Sequence, residues 1–226
     1  MEIVYYISKT IHIFAGAIAL VTGLIAMLSR KGGKRHRLNG KIFFWSMAVI
    51  FVTAVHMSFY KNIIFLLLIA FFSFQGAFNG YRILYLKKLH EGQKPERVDW
   101  IALAIGALAS IAMVAFGIYV CTTEWQAGVI LLVFGSLYTT GVWREYKKFK
   151  DPPSVKMYWY YSHIGQMSGA YIATITAFLV NNAHWVSFIP GIVFWLLPTA
   201  IGVPLLFRTI AKYKKMHSVK PNPVKQ

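Results

Sequence analysis

Acidic residues are scarce. Seven Asp and Glu stand against 24 Lys and Arg, a formal net charge of +17 over 226 residues. None of the seven lies near the middle of an apolar run. Proton-coupled pumps usually carry an intramembrane carboxylate, so that class is set aside. A membrane zinc hydrolase is set aside too, because it pairs an acid with its histidines. The last apolar run, about residues 186–208, contains no lysine for a retinal Schiff base. The single cysteine, Cys121, excludes an intramolecular disulfide, and the absence of C-x-x-C-H excludes the usual covalent c-type haem. No internal repeat and no second domain are visible.

What is present is apolar. Hydrophobic residues make up 57% of the chain and charged residues only 14%, against about 25% charged in ordinary soluble proteins. Seven apolar runs occupy roughly residues 10–29, 42–59, 62–86, 100–121, 125–143, 159–181 and 186–208. Each is long enough to cross a hydrocarbon core of about 30 Å as a helix. They are too long and continuous for barrel strands. The expectation is an all-α integral membrane protein, a bundle of seven transmembrane helices over residues 1–211. Residues 212–226 read as a basic, disordered tail. The first run is longer than a signal-peptide core and its basic flank follows it, so it reads as a span. Pro198, central in the last run, predicts a kink.

The stretch Arg30–Lys41 is half Lys and Arg and contains His36. Such a run suits nucleic acid or a cytoplasmic membrane loop. Its neighbours decide. On the seven-span reading, 22 of the 24 basic residues fall on one side and only Lys9 and Lys61 on the other. The positive-inside rule then puts the N-terminus outside and the C-terminus inside, in a bacterial inner membrane, with no role for nucleic acid. The expected partners are the lipid bilayer and its anionic headgroups, at about 1 kcal/mol per basic residue near the surface. Cys121 offers a link between two chains, the one hint of a homo-oligomer.

Three histidines fall inside the runs. His12 and His56 lie at nearly the same depth on consecutive, oppositely directed spans. His12 shares a face with Gly16, Ala19 and Gly23, which permits close helix contact or room for a flat cofactor. This pair is the candidate for haem b, or for a zinc or copper ion. The plain alternative is that each histidine hydrogen-bonds a neighbouring helix. At the other end, Gln75, Asn79 and Arg82 form one polar stripe, and His163 and Gln166 lie at matching depth. Gln75 and Asn79 are too short to snorkel, so they must turn inward. The two spans are expected to face each other, with His163 within reach of Asn79 or Arg82 and His36 closing the pocket from its loop. His163 has no histidine at its level within the membrane; His36 is the nearest.

His12-x-x-x-Gly16, then Gly23, "HRLNGK" from His36 to Lys41, and "HIGQMSGAYIATITAFLV" from His163 to Val180 together resemble a domain-of-unknown-function family of predicted bacterial polytopic membrane proteins. The resemblance implies His12, His36, Gly40 and His163 as the positions of interest and brings no reaction with it. His56 is outside its pattern. The functional expectation is a haem-binding, redox-linked membrane protein. The alternative is a non-enzymatic metal or small-molecule binding, transport or assembly protein with structural histidines. The topology is directly testable. A reporter fused after Gln226 is expected to be active in the cytoplasm; activity only in the periplasm reverses the orientation.

Overall fold

The computed structural model describes residues 2–218 and is entirely helical, with seven helices joined by short turns. They are α1 (Glu2–Leu28), α2 (Lys34–Lys61), α3 (Ile64–Arg82), α4 (Arg97–Val120), α5 (Trp125–Lys150), α6 (Tyr158–Asn181) and α7 (Gly191–Ser218). Six of them are long and apolar enough to cross a membrane. The seventh, α6, is diluted by Gln166, Ser168, Thr174 and Thr176. Its polarity matches its place, since α6 packs against α1, α3 and α7 and buries Ala170, Tyr171 and Thr174. The segment read as a tail starts helical, because α7 runs on to Ser218; residues 219–226 lie outside the described residues. The helix is unbroken through Pro198 and Pro204.

The helix ends follow from local chemistry. The tight break near Tyr60 is closed by Asn62 in the left-handed conformation (φ 54°), which asparagine tolerates better than most residues. Its neighbour Ile63 donates to Ser58 O at 2.9 Å, taking up an end carbonyl of α2. Gly32, at φ +75°, makes the turn between α1 and α2. At the start of α4, Glu96 and Asp99 form a reciprocal capping box. The longer connection from α3 to α4 is pinned by the Tyr158 hydroxyl, which donates to Leu86 O.

Consecutive helices run antiparallel, so the turns after α1, α3 and α5 and the end of α7 share one end of the bundle. This is the basic end. The centre belongs to α3, which touches α2, α4, α5 and α6. One core cluster gathers Ala19, Phe43, Phe44, Met47, Ala77, Ala170 and Tyr171 from α1, α2, α3 and α6. A second joins Leu68, Met113, Leu131, Phe134 and Tyr138 from α3, α4 and α5, with Trp195 of α7 against it.

The surface is inverted relative to a water-soluble bundle. On α1 the large residues Ile3, Ile7, Ile11, Phe14, Ile18, Val21, Ile25 and Leu28 are exposed, at helical spacing. The inward face carries Ala15, Ala19, Thr22, Gly23 and Ala26. Large apolar groups outward and small groups at the contacts are what a lipid solvent requires. Of the small stripe beside His12, Gly23 is filled by a protein side chain. The Tyr171 ring occupies the space a Cβ would need, while no atom lies within 4 Å of one at Gly16. The Tyr171 hydroxyl also donates to Leu20 O at 3.1 Å, fixing the ring at both ends. Gly23→Val is therefore expected to destabilise the protein by about 1–3 kcal/mol. Gly16→Val should leave the unfolding midpoint in detergent nearly unchanged.

Candidate functional site

Four polar systems lie inside the bundle, one near each partner helix that must hold them. At the end opposite the basic loops, His12 Nδ1 bonds Thr53 Oγ1 at 2.9 Å. The same hydroxyl lies 2.8 Å from Val49 O and 3.0 Å from Ile50 O. Between His12 and His56 there is no ring contact among the described residues, and the buried Nδ1 of His56 has no hydrogen-bond partner there. His12 thus ties α1 to α2 through Thr53.

The α3 stripe does turn inward, but mainly toward α4. Gln75 Nε2 donates to Asn79 Oδ1 at 3.3 Å and to Ala102 O at 3.2 Å. Arg82 grips Asp99 with two bonds, Nε to Oδ1 at 2.7 Å and Nη2 to Oδ2 at 3.1 Å. Glu96 takes a further contact from Arg82 Nη2 at 2.9 Å. Gln166 is also diverted, donating to Glu145 Oε1 at 3.0 Å while Lys148 holds the other oxygen at 2.5 Å. Asp99 and Glu145 are 3% and 6% exposed. Both lie outside the apolar runs of the sequence. Glu145 is enclosed because α5 continues to Lys150, well past the end of its apolar run. Asn79, Arg82, Asp99, Glu145 and Lys148 line a cavity of about 10 Å³, room for one water.

The remaining histidines form a pair. His163 bonds neither Asn79 nor Arg82; its Nδ1 donates to Gly80 O at 2.7 Å. His36 Nδ1 donates to Ala26 O at 2.8 Å. Both acceptors belong to the last turn of a helix, where carbonyls lack intrahelical partners. The two rings are neighbours, with centroids 6.1 Å apart and planes crossed at 76°. A carbonyl can only accept, so each Nδ1 carries the proton and each neutral ring keeps its lone pair on Nε2. Neither Nε2 has a hydrogen bond among the described residues. Donating the far N–H to a backbone carbonyl is also how metal-ligating histidines are usually oriented. Open space lies beside the site, since nothing comes within 4 Å of a Cβ added at Gly40, one turn after His36.

Lys31 and Lys87 lie in the turns at the same end of the bundle as the pair. Lys31 Nζ donates to Met27 O at 2.6 Å, and burial pushes its pKa below the ordinary lysine range. Lys87 Nζ lies 4.6 Å from the Trp159 ring centroid. Among the described residues, no group of three His, Cys, Asp or Glu is placed to hold a metal ion.

Sequence reasoning found the four histidines and the stripe. It missed the Gly80 and Ala26 carbonyls and the two enclosed acids. Only Asp99 carried a readable signal, the Glu96-x-x-Asp99 spacing of a helix start. The Arg82–Asp99 pair has a clear energetic consequence. Asp99→Ala strands a largely buried guanidinium and is expected to cost about 3–5 kcal/mol of stability. Glu96→Ala, at a side chain 65% exposed, is expected to cost about 1 kcal/mol or less. Thermal unfolding of the detergent-purified variants measures both. Comparison with protein families, with curated proteins and with solved structures finds no match to this chain.

Proposed function

We propose that this chain is a seven-span protein of a bacterial inner membrane, N-terminus outside and C-terminus inside, that binds haem b between His36 and His163 and carries electrons. The orientation follows from the basic loops gathered at one end. The observation that supports the site is the pair itself: two imidazoles, each held by a backbone carbonyl, with free Nε2 atoms and centroids 6.1 Å apart. An imidazole–metal bond is about 2.0–2.1 Å. A metal held by both Nε2 atoms would leave the ring centroids about 6 Å apart. The donor set favours a metal that brings ligands of its own. Only two protein donors converge, and a porphyrin supplies four nitrogens. His36 and His163 would hold the group, and the chemistry it would supply there is electron transfer. The protein's part is to fix both rings through Ala26 and Gly80, and to keep the site at the basic end of the bundle.

A bound copper ion is the second reading. It is favoured by the Met167 thioether, which packs against Gly80 one turn after His163. The purified protein separates the two. Haem gives a Soret band that shifts on reduction and is lost in His36→Ala and in His163→Ala, but kept in His12→Ala and His56→Ala. Copper near one per chain without a Soret band supports the second reading. A colourless, metal-free protein from haem-replete cells defeats both.

A further inference from the structure

We propose that the outward face at the start of α2, made by Lys34, Arg37 and Lys41 with Leu38 and Trp45, binds an anionic phospholipid of the surrounding membrane. The inference rests on the membrane reading of the bundle and is independent of the haem reading. Counted from Lys34, the other residues fall at i+3, i+4, i+7 and i+11, so they share one face of the helix. All are exposed, Leu38 at 61% and Trp45 at 63%. The same face continues with exposed Val49 and Val52. It thus has cations at the basic end, an indole below them and aliphatic groups beyond. That is the order of headgroup, interface and acyl chain in a phospholipid.

Charge and depth argue for a negative headgroup. Between Glu2 and Glu91 the sequence has no Asp or Glu. Apart from Glu2, at the far end of α1, the first three helices therefore offer these cations no carboxylate. No ion pair among the described residues includes Lys34, Arg37 or Lys41; the acids that pair hold Arg82, Lys148 and His90. Lys41 is the deepest of the three. Phe43 packs against Gly23, which lies five residues before the end of α1 at Leu28. At about 1.5 Å per residue this sets Lys41 about one turn inside that end, on the lipid side. Side chains lean toward the N-terminus of their helix, which for α2 is the basic end, so the Lys41 stem rises toward the headgroups. An ammonium at that depth is costly unless an anion meets it. A phosphodiester on the lipid side meets it through a charge-assisted hydrogen bond. Nucleic acid matches the charge but not the apolar half of the face.

The test is native mass spectrometry of the full-length, delipidated protein, offered equal amounts of phosphatidylglycerol and phosphatidylcholine with matched chains. In its first lipid adduct, wild type is expected to favour phosphatidylglycerol about tenfold or more. Lys34→Gln/Arg37→Gln/Lys41→Gln is expected to lose that preference, while Lys34→Arg/Lys41→Arg keeps it. Arg144→Gln/Lys147→Gln/Lys150→Gln removes the same charge from the end of α5 and is expected to leave the preference unchanged. Should the first triple variant lose helicity by circular dichroism, Lys41→Gln decides, with an expected loss of about fivefold. Equal binding of the two lipids by wild type overturns the site. So does an equal loss in the α5 variant, which makes the effect one of net charge. If an oligonucleotide strips phosphatidylglycerol from wild type and binds in its place, nucleic acid is the occupant and the proposal fails. Absence of any lipid adduct also overturns the site; the membrane reading stands or falls separately, on the topology reporter. The haem reading is untouched by any of these outcomes.

Discussion

A helix end packed inside a bundle is a liability, because its last carbonyls have no partner within their own helix. The basic end of this bundle is organised around that constraint. α1 and α3 both stop there, and each surrenders one terminal carbonyl to an imidazole from another helix. The histidines are therefore part of how two helix ends are closed. The carbonyl sets the tautomer, and the tautomer sets which nitrogen faces the neighbouring ring. The negative ends of the two helix dipoles point toward the same place and offset part of the lysine charge gathered around it.

Two kinds of contact bring the remote helices close enough for this. Glycine and alanine on α3 allow α6 to approach: Gly76 faces the backbone of Gln166 and Ala170, and Gly80 faces Met167. An ion pair and a hydrogen bond then lock α4 and α5 to the same end. Arg82 draws Asp99 from α4, and Gln166 of α6 reaches Glu145 of α5. A buried pair of this kind adds little net stability, yet is costly to break. It acts more as a registration device, setting the depth of one helix against the next.

Much of the architecture could be read from residue order alone. Long apolar runs and one-sided lysines are one-dimensional signals, and the helices fall close to where those signals put them. The small residues of α1 and the inward turn of Gln75 and Asn79 were legible for the same reason, since helical periodicity assigns a face. Partners are a different matter. Nothing in the spacing of His12 and His56 says that Thr53, on the same face of α2 as His56, intercepts the bond. Nothing in the Arg144-Glu145 dipeptide says that α5 extends far enough to bury the acid. The Gly80 and Ala26 carbonyls are invisible by nature, because every residue has one and only the fold decides which are left over. α6 reads as the least membrane-like span because its polar side chains are spent on neighbours, a fact that hydropathy records as weakness.

The histidine pair is assembled from two distant parts of the chain, His36 near the beginning and His163 near the end. During synthesis the first imidazole reaches its place at the close of the first hairpin, while α6 has yet to be made. A ligand that needs both rings has no site until the sixth helix has inserted and packed against α3. Any ligand of both rings would load only after α6 has packed, and a chain truncated before α6 presents one ring without the other.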